Sequence, residues 1–139
     1  MKKFFTTLLL AASMAATACS TVYTGEQSKA NLEKKDYEVT LMTEAEAKLL
    51  IVGINFEDVT LKSAVHATKG EGDNHDIFLG FYFDSDAEAE KFATKNKSEN
   101  LALLGDYGDS QIGGNLTKKL GYHNNVSYVS SETSFEIAL

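Results

Sequence analysis

Residues Ile77 to Phe83 form an unbroken run of apolar, aromatic or glycine residues, Ile-Phe-Leu-Gly-Phe-Tyr-Phe, closed by Asp84. A run this short, rich in aromatics and followed at once by helix-starting residues, reads as a β-strand from Ile77 to Asp84. Side chains alternate along a strand, so Ile77, Leu79, Phe81 and Phe83 take one face and Phe78, Gly80 and Tyr82 the other. Helices on the first face leave two readings of the second. In one, the second face is open near Lys62, His66 or Thr68 and presents Phe78 and Tyr82 to a partner. In the other, the strand is central and the segment from Ser98 to Asn125 covers it.

A strand running straight into a helix recurs along the chain. Tyr37 to Met42 alternates with period two and leads into Thr43-Glu44-Ala45-Glu46, a capping box in which side chains satisfy the orphan N–H groups of a helix start. Ile77 to Asp84 leads into a second box, Ser85 to Glu88. The helix behind it, Ala87 to Lys95, sets Ala89, Phe92 and Ala93 on one face. A weaker third copy is Val126 to Ser130, followed by Ser131 to Ser134 and the apolar tail Phe135, Ile137, Ala138 and Leu139. The unequal spacing of the three units argues against a solenoid.

Between the first two units, Val59, Leu61, Ser63, Val65 and Ala67 alternate with Thr60, Lys62, Ala64, His66 and Thr68, the pattern of a strand with one wet face. Gly70-Glu71-Gly72-Asp73-Asn74 is turn chemistry, so this strand and the one from Ile77 form an antiparallel hairpin. The resulting element order predicts an α+β fold. It is a two-layer antiparallel sheet with helices on one face, in the manner of a split βαβ or ferredoxin-like plait, with a third strand-helix unit at the C-terminus. Residues 98 to 125 are read as Gly-rich loop. Leu101 to Leu104 is either a strand or a further helix turn, and Leu116 to Leu120 is a short helix.

The N-terminal end is of another kind. Met1-Lys2-Lys3 is positive, and Phe4 to Ala16 is apolar apart from Thr6, Thr7 and Ser13. That run is too short to span a bilayer, which takes about 20 residues, and has the length of a signal segment, about 7–15. It ends in Ala16-Thr17-Ala18 directly before Cys19, the single cysteine. This resembles the lipobox of bacterial lipoproteins, with Ala16 where leucine is usual. The resemblance implies that residues 1–18 are removed and that Cys19 is acylated, becoming the anchor to a lipid bilayer. The other reading, plain cleavage after Ala18, would leave a lone reactive thiol in an oxidising space. In a cell with two membranes the resemblance implies the outer one, since Ser20 replaces the aspartate that commonly retains such proteins in the inner membrane. With one membrane the protein sits on its outer face. Residues 19–35 are then expected to be the lipidated cysteine and a tether, with a short helix near Asn31 to Lys35, and residues 36–139 a single domain.

The chain carries a formal charge of −7 and contains no arginine. Loss of Lys2 and Lys3 makes it more acidic, so nucleic acid is not an expected partner. Glu71, Asp73, Asn74, His75 and Asp76 mix metal-ligand types, yet they lack the Ca²⁺-loop pattern and serve equally as turn residues. The same holds for Asp106, Asp109, Gln111 and Asn115. His66, His75 and His123 fall on a wet face, in a hairpin and in a turn, and no nucleophile or cofactor motif stands beside them. The expectation is a non-enzymatic, cofactor-free, membrane-anchored envelope module that binds another envelope protein. Its binding residues are Phe78 and Tyr82 as anchors, with Lys62 and His66 at the rim. A small-ligand or cation-binding lipoprotein is the alternative reading, and an envelope hydrolase the third.

Overall fold

The structure is a computed structural model that describes residues 21–50, 54, 56–95 and 116–139. Along the chain lie helix α1 (Gly25–Glu33), strand β1 (Glu38–Met42), helix α2 (Glu44–Leu50) and strands β2 (Ser63–Lys69) and β3 (Asp76–Tyr82). Helix α3 (Asp86–Lys95), strands β4 (Lys118–His123) and β5 (Val126–Ser131) and helix α4 (Glu132–Ala138) follow. The five strands form one antiparallel sheet in the order β1-β2-β3-β5-β4. This is the α+β class with an antiparallel sheet that the sequence predicts, including the C-terminal strand-helix unit.

The helix starts show how local chemistry was used. Thr43 and Glu46 form the expected capping box, with Glu46 N donating to Thr43 Oγ1 and Thr43 N to Glu46 Oε1, each at 3.3 Å. The second box is only half made. Glu88 N donates to Ser85 Oγ at 3.3 Å, while the Glu88 carboxylate accepts from Thr60 N at 3.0 Å and so ties α3 to the strand entering the sheet. Helix α1 starts on a box absent from the sequence reading, between Thr24 and Gln27.

Two apolar clusters occupy the two sides of the sheet. On one side Leu79, Phe81, Phe83, Ala64, Met42 and Val129 meet Ala47 of α2 and Ala89 and Phe92 of α3. Phe92 is fully buried, its ring centroid 5.1 Å from those of both Phe81 and Phe83. On the other side Phe78, Tyr82, Val65, Ala67, Val126 and Tyr128 meet Leu32 of α1 and Ala138 of α4. Gly80 lies between the rings of this second cluster, and a Cβ there would stand 2.6 Å from Phe78. Gly25 lets α1 approach as closely, since a Cβ would stand 2.6 Å from Ser63 Oγ.

Three finer expectations are corrected. A split βαβ unit is present, since β3 and β4 both run antiparallel to β5, which lies between them, and α3 follows β3 in the connection that joins them. After β1 the chain instead returns to the end where β1 stopped, so β2 pairs beside β1 and antiparallel to it, and the helices lie on both faces of the sheet where one face was expected. Residues 116–120 do not form a helix. Lys118 onward is the edge strand β4, whose lysines suit an unpaired edge. The tether expected over 19–35 is, in its described part, folded domain: α1 is packed through Leu32 on the second face.

Candidate functional site

The four residues expected to form a binding face do not share one. Phe78 and Tyr82 have 0% and 1% of their surface exposed and belong to the second core, closed by α1 and α4. The strand is central, as one reading required, but the cover comes from the two ends of the domain. His66 pairs with Leu79 while Ala67 pairs with Phe78, so His66 sits on the opposite face from the aromatic pair, half-buried. Burial first and the nearby His75 second hold its pKa below the ordinary value, which keeps the ring neutral at neutral pH. Lys62 is exposed and forms a surface ion pair with Asp84 at 3.2 Å, a contact that contributes little. These residues are therefore structural, apart from the lysine.

The polar turn resolves differently. Glu71, Asp73 and Asn74 are exposed around a short 3-10 turn, whereas Asp76 is buried with its carboxylate directed into the domain. Tyr37 Oη donates to Asp76 Oδ2 at 2.6 Å, and Ser131 Oγ donates to Asp76 Oδ1. Ser131 Oγ in turn lies 2.9 Å from Ser134 Oγ, which donates to the carbonyl of Ile77 at 2.8 Å. Burial, then the hydrogen bond and charge of Asp76, push the Tyr37 phenol pKa well above its ordinary value. The network joins the start of β1, the start of β3 and the start of α4. Ser131, directly ahead of α4, makes no side-chain cap for that helix and gives its hydroxyl to Asp76.

The most distinctive construction is at the other end of the sheet, where the chain enters the domain. Asn125 is fully buried in the β4–β5 turn. Its Oδ1 accepts from Tyr23 N at 2.7 Å, and its Nδ2 donates to Tyr23 O at 2.8 Å and to Phe83 O at 2.9 Å. One amide thus holds an incoming segment as a neighbouring strand would. Asn124, in the left-handed region at φ 50°, adds a bond from its Nδ2 to Thr21 O at 3.1 Å. The Tyr23 ring lies 5.7 Å from His123, which stacks edge-on with Phe135 at 5.5 Å, and Lys119 Nζ sits 4.2 Å above Phe135. Beside this corner a groove of about 360 Å³ runs between Thr21–Tyr23, α1 and the C-terminal Leu139. In the sequence Asn124-Asn125 reads only as turn chemistry. The legible signal was Thr24-x-x-Gln27, which marks a helix start and hence a docked segment.

Cys19, and the Asp106, Asp109, Gln111 and Asn115 group, lie outside the described residues. Among the described residues no group of three His, Cys, Asp or Glu side chains is placed to hold a metal ion, and no helix is long and apolar enough to cross a membrane. No protein-family model matches the chain, and neither a curated protein nor a solved structure matches it.

Proposed function

We propose that the chain is a bacterial envelope lipoprotein, acylated at Cys19, whose domain works by contact with another envelope protein and not by catalysis. The observation that carries this reading is the position of Cys19 in the lipobox-like Ala16-Thr17-Ala18-Cys19, two residues ahead of Thr21, the first described residue, which is bonded to the domain through Asn124. Acylation there attaches the domain to the bilayer almost directly. Two or three acyl chains, at about 0.8 kcal/mol per buried methylene, make such attachment effectively permanent. Among the described residues the buried carboxylate and three of the buried serine hydroxyls that a catalyst would draw on are engaged in holding elements together. Asp76 binds Tyr37 and Ser131, Ser134 binds the Ile77 carbonyl, and Ser127 donates to Ala89 O at 2.7 Å. This supports a binding role over a hydrolytic one. With Ser20 behind the cysteine, the outer membrane is the expected site in a two-membrane cell.

The test is metabolic labelling with a fatty-acid probe, followed by mass analysis of the mature N-terminus. Wild type takes up label and partitions with membranes, whereas Cys19→Ala does neither. Label that persists in Cys19→Ala, or a mature chain with a free Cys19 thiol, overturns the reading.

A further inference from the structure

We infer that the corner formed by Val22, Tyr122 and the Asn124–Asn125 turn is a membrane-contacting surface that rests on lipid headgroups. The inference rests on acylation of Cys19. A chain extends by at most about 3.6 Å per residue, so Thr21 lies within about 7 Å of the acylated residue in any conformation. That is comparable to the headgroup layer, roughly 5–7 Å on each side of a bilayer. Thr21 is itself bonded to Asn124, and Tyr23 to Asn125. The clamp thus converts a lipid attachment point into a fixed orientation, with the β4–β5 corner down.

The surface at that corner suits the position. Among the described residues the exposed large apolar side chains are Val22 (56% exposed), Tyr122 (46%) and Leu49, and the first two flank the turn. An aromatic ring with a polar tip is at home at the headgroup level; Tyr122 stands on the Phe81 side of the sheet, and Val22 adds apolar area on the α1 side, across the turn. The acidic start of α2, Glu44 and Glu46, follows β1 at the far edge of the sheet. Four strand spacings, about 19 Å, separate β1 from β4. The contact is therefore a corner and not the whole end. The Gly70–His75 hairpin stands at the opposite end, about 20 Å away along β3.

The chain contains no tryptophan, so one introduced indole reports on a single place. Val22→Trp, Tyr122→Trp and, at the far hairpin, Asp73→Trp are expressed with the full signal and purified from membranes. Each is reconstituted in phosphatidylcholine vesicles with and without brominated acyl chains, and folding is checked by circular dichroism. The expected result is loss of emission in brominated vesicles for Val22→Trp and Tyr122→Trp, and no change for Asp73→Trp. Inserting twelve Gly/Ser residues between Ser20 and Thr21, a coil of about 19 Å, should abolish the loss while leaving acylation intact. Mass analysis of the same samples separates the two possible failures. A free Cys19 means that the lipoprotein reading is wrong and this inference falls with it. An acylated Cys19 with equal quenching at both ends, or with none at either, means that the anchor is right and the orientation wrong. A Tyr122→Trp emission shift that follows protein concentration instead of lipid shows a contact between copies and also overturns the inference.

Discussion

Asn125 Oδ1 accepts a hydrogen bond from Tyr23 N at 2.7 Å, across 102 positions of sequence. Together with the return bond from Asn125 Nδ2 to the Tyr23 carbonyl, this single amide fixes where the chain enters the domain. Replacing Asn125 with Ala leaves the Tyr23 backbone groups and the Phe83 carbonyl short of a partner. Each buried group so stranded costs about 1–3 kcal/mol, and water can reach the Tyr23 segment once it is released. The expected loss is about 2–4 kcal/mol in denaturant melts of the mature domain. A loss under about 1 kcal/mol would show that the entering segment contributes no stability.

Two aromatic substitutions on neighbouring strands and helices should differ sharply. Phe92→Ala removes a ring packed on Phe81 and Phe83 and should cost about 3–5 kcal/mol. Tyr82→Phe keeps the ring and deletes a buried hydroxyl that interacts with Ser28 but completes no hydrogen bond, the Ser28 hydroxyl itself donating to Ala138 O at 2.9 Å. That change should be neutral or stabilising by up to about 1 kcal/mol. A clear destabilisation by Tyr82→Phe would mean that Ser28 does hold the phenol.

Asp76 is the hub between Tyr37 and Ser131. Asp76→Ala should cost about 2–4 kcal/mol, because two buried hydroxyls lose a charged acceptor at once. Tyr37→Phe removes one of these bonds and should cost less. A double-mutant cycle checks the coupling, and additive losses would show that the two residues act independently.

The pH dependence has two arms. His66 has a folded pKa below its ordinary 6.5, so below about pH 6.5 the unfolded chain binds the proton more readily, and this stability is lost as pH falls. His66→Gln should flatten that acid arm. Tyr37, Tyr82 and Tyr128 have folded pKa values raised above 10.0 or the ordinary phenol value. The unfolded chain therefore ionises first above about pH 10, and stability falls as pH rises further. Urea midpoints across pH measure both arms, and a midpoint that climbs above pH 10 would contradict the burial of these phenols.

The local patterns determined which side of each element is apolar. Alternation in Ile77 to Phe83 separated Phe81 and Phe83 from Phe78 and Tyr82, as found, and the Ala89 and Phe92 stripe chose the buried face of α3. Thr43-x-x-Glu46 marked a helix start that the structure keeps. These features depend on neighbours a few residues apart, where backbone geometry alone decides what is adjacent. The binding site was misread for the complementary reason. Alternation states that Phe78 and Tyr82 need cover or a partner, but not which segment supplies it. Only the tertiary structure brought α1 and α4, from the two ends of the domain, onto that face. It also turned Glu88 toward Thr60, Ser131 toward Asp76 and Asn125 toward Tyr23. A carboxylate, hydroxyl or amide can satisfy either its own turn or a distant backbone. Which it serves depends on the burial around it, and that exists only once the whole chain has packed.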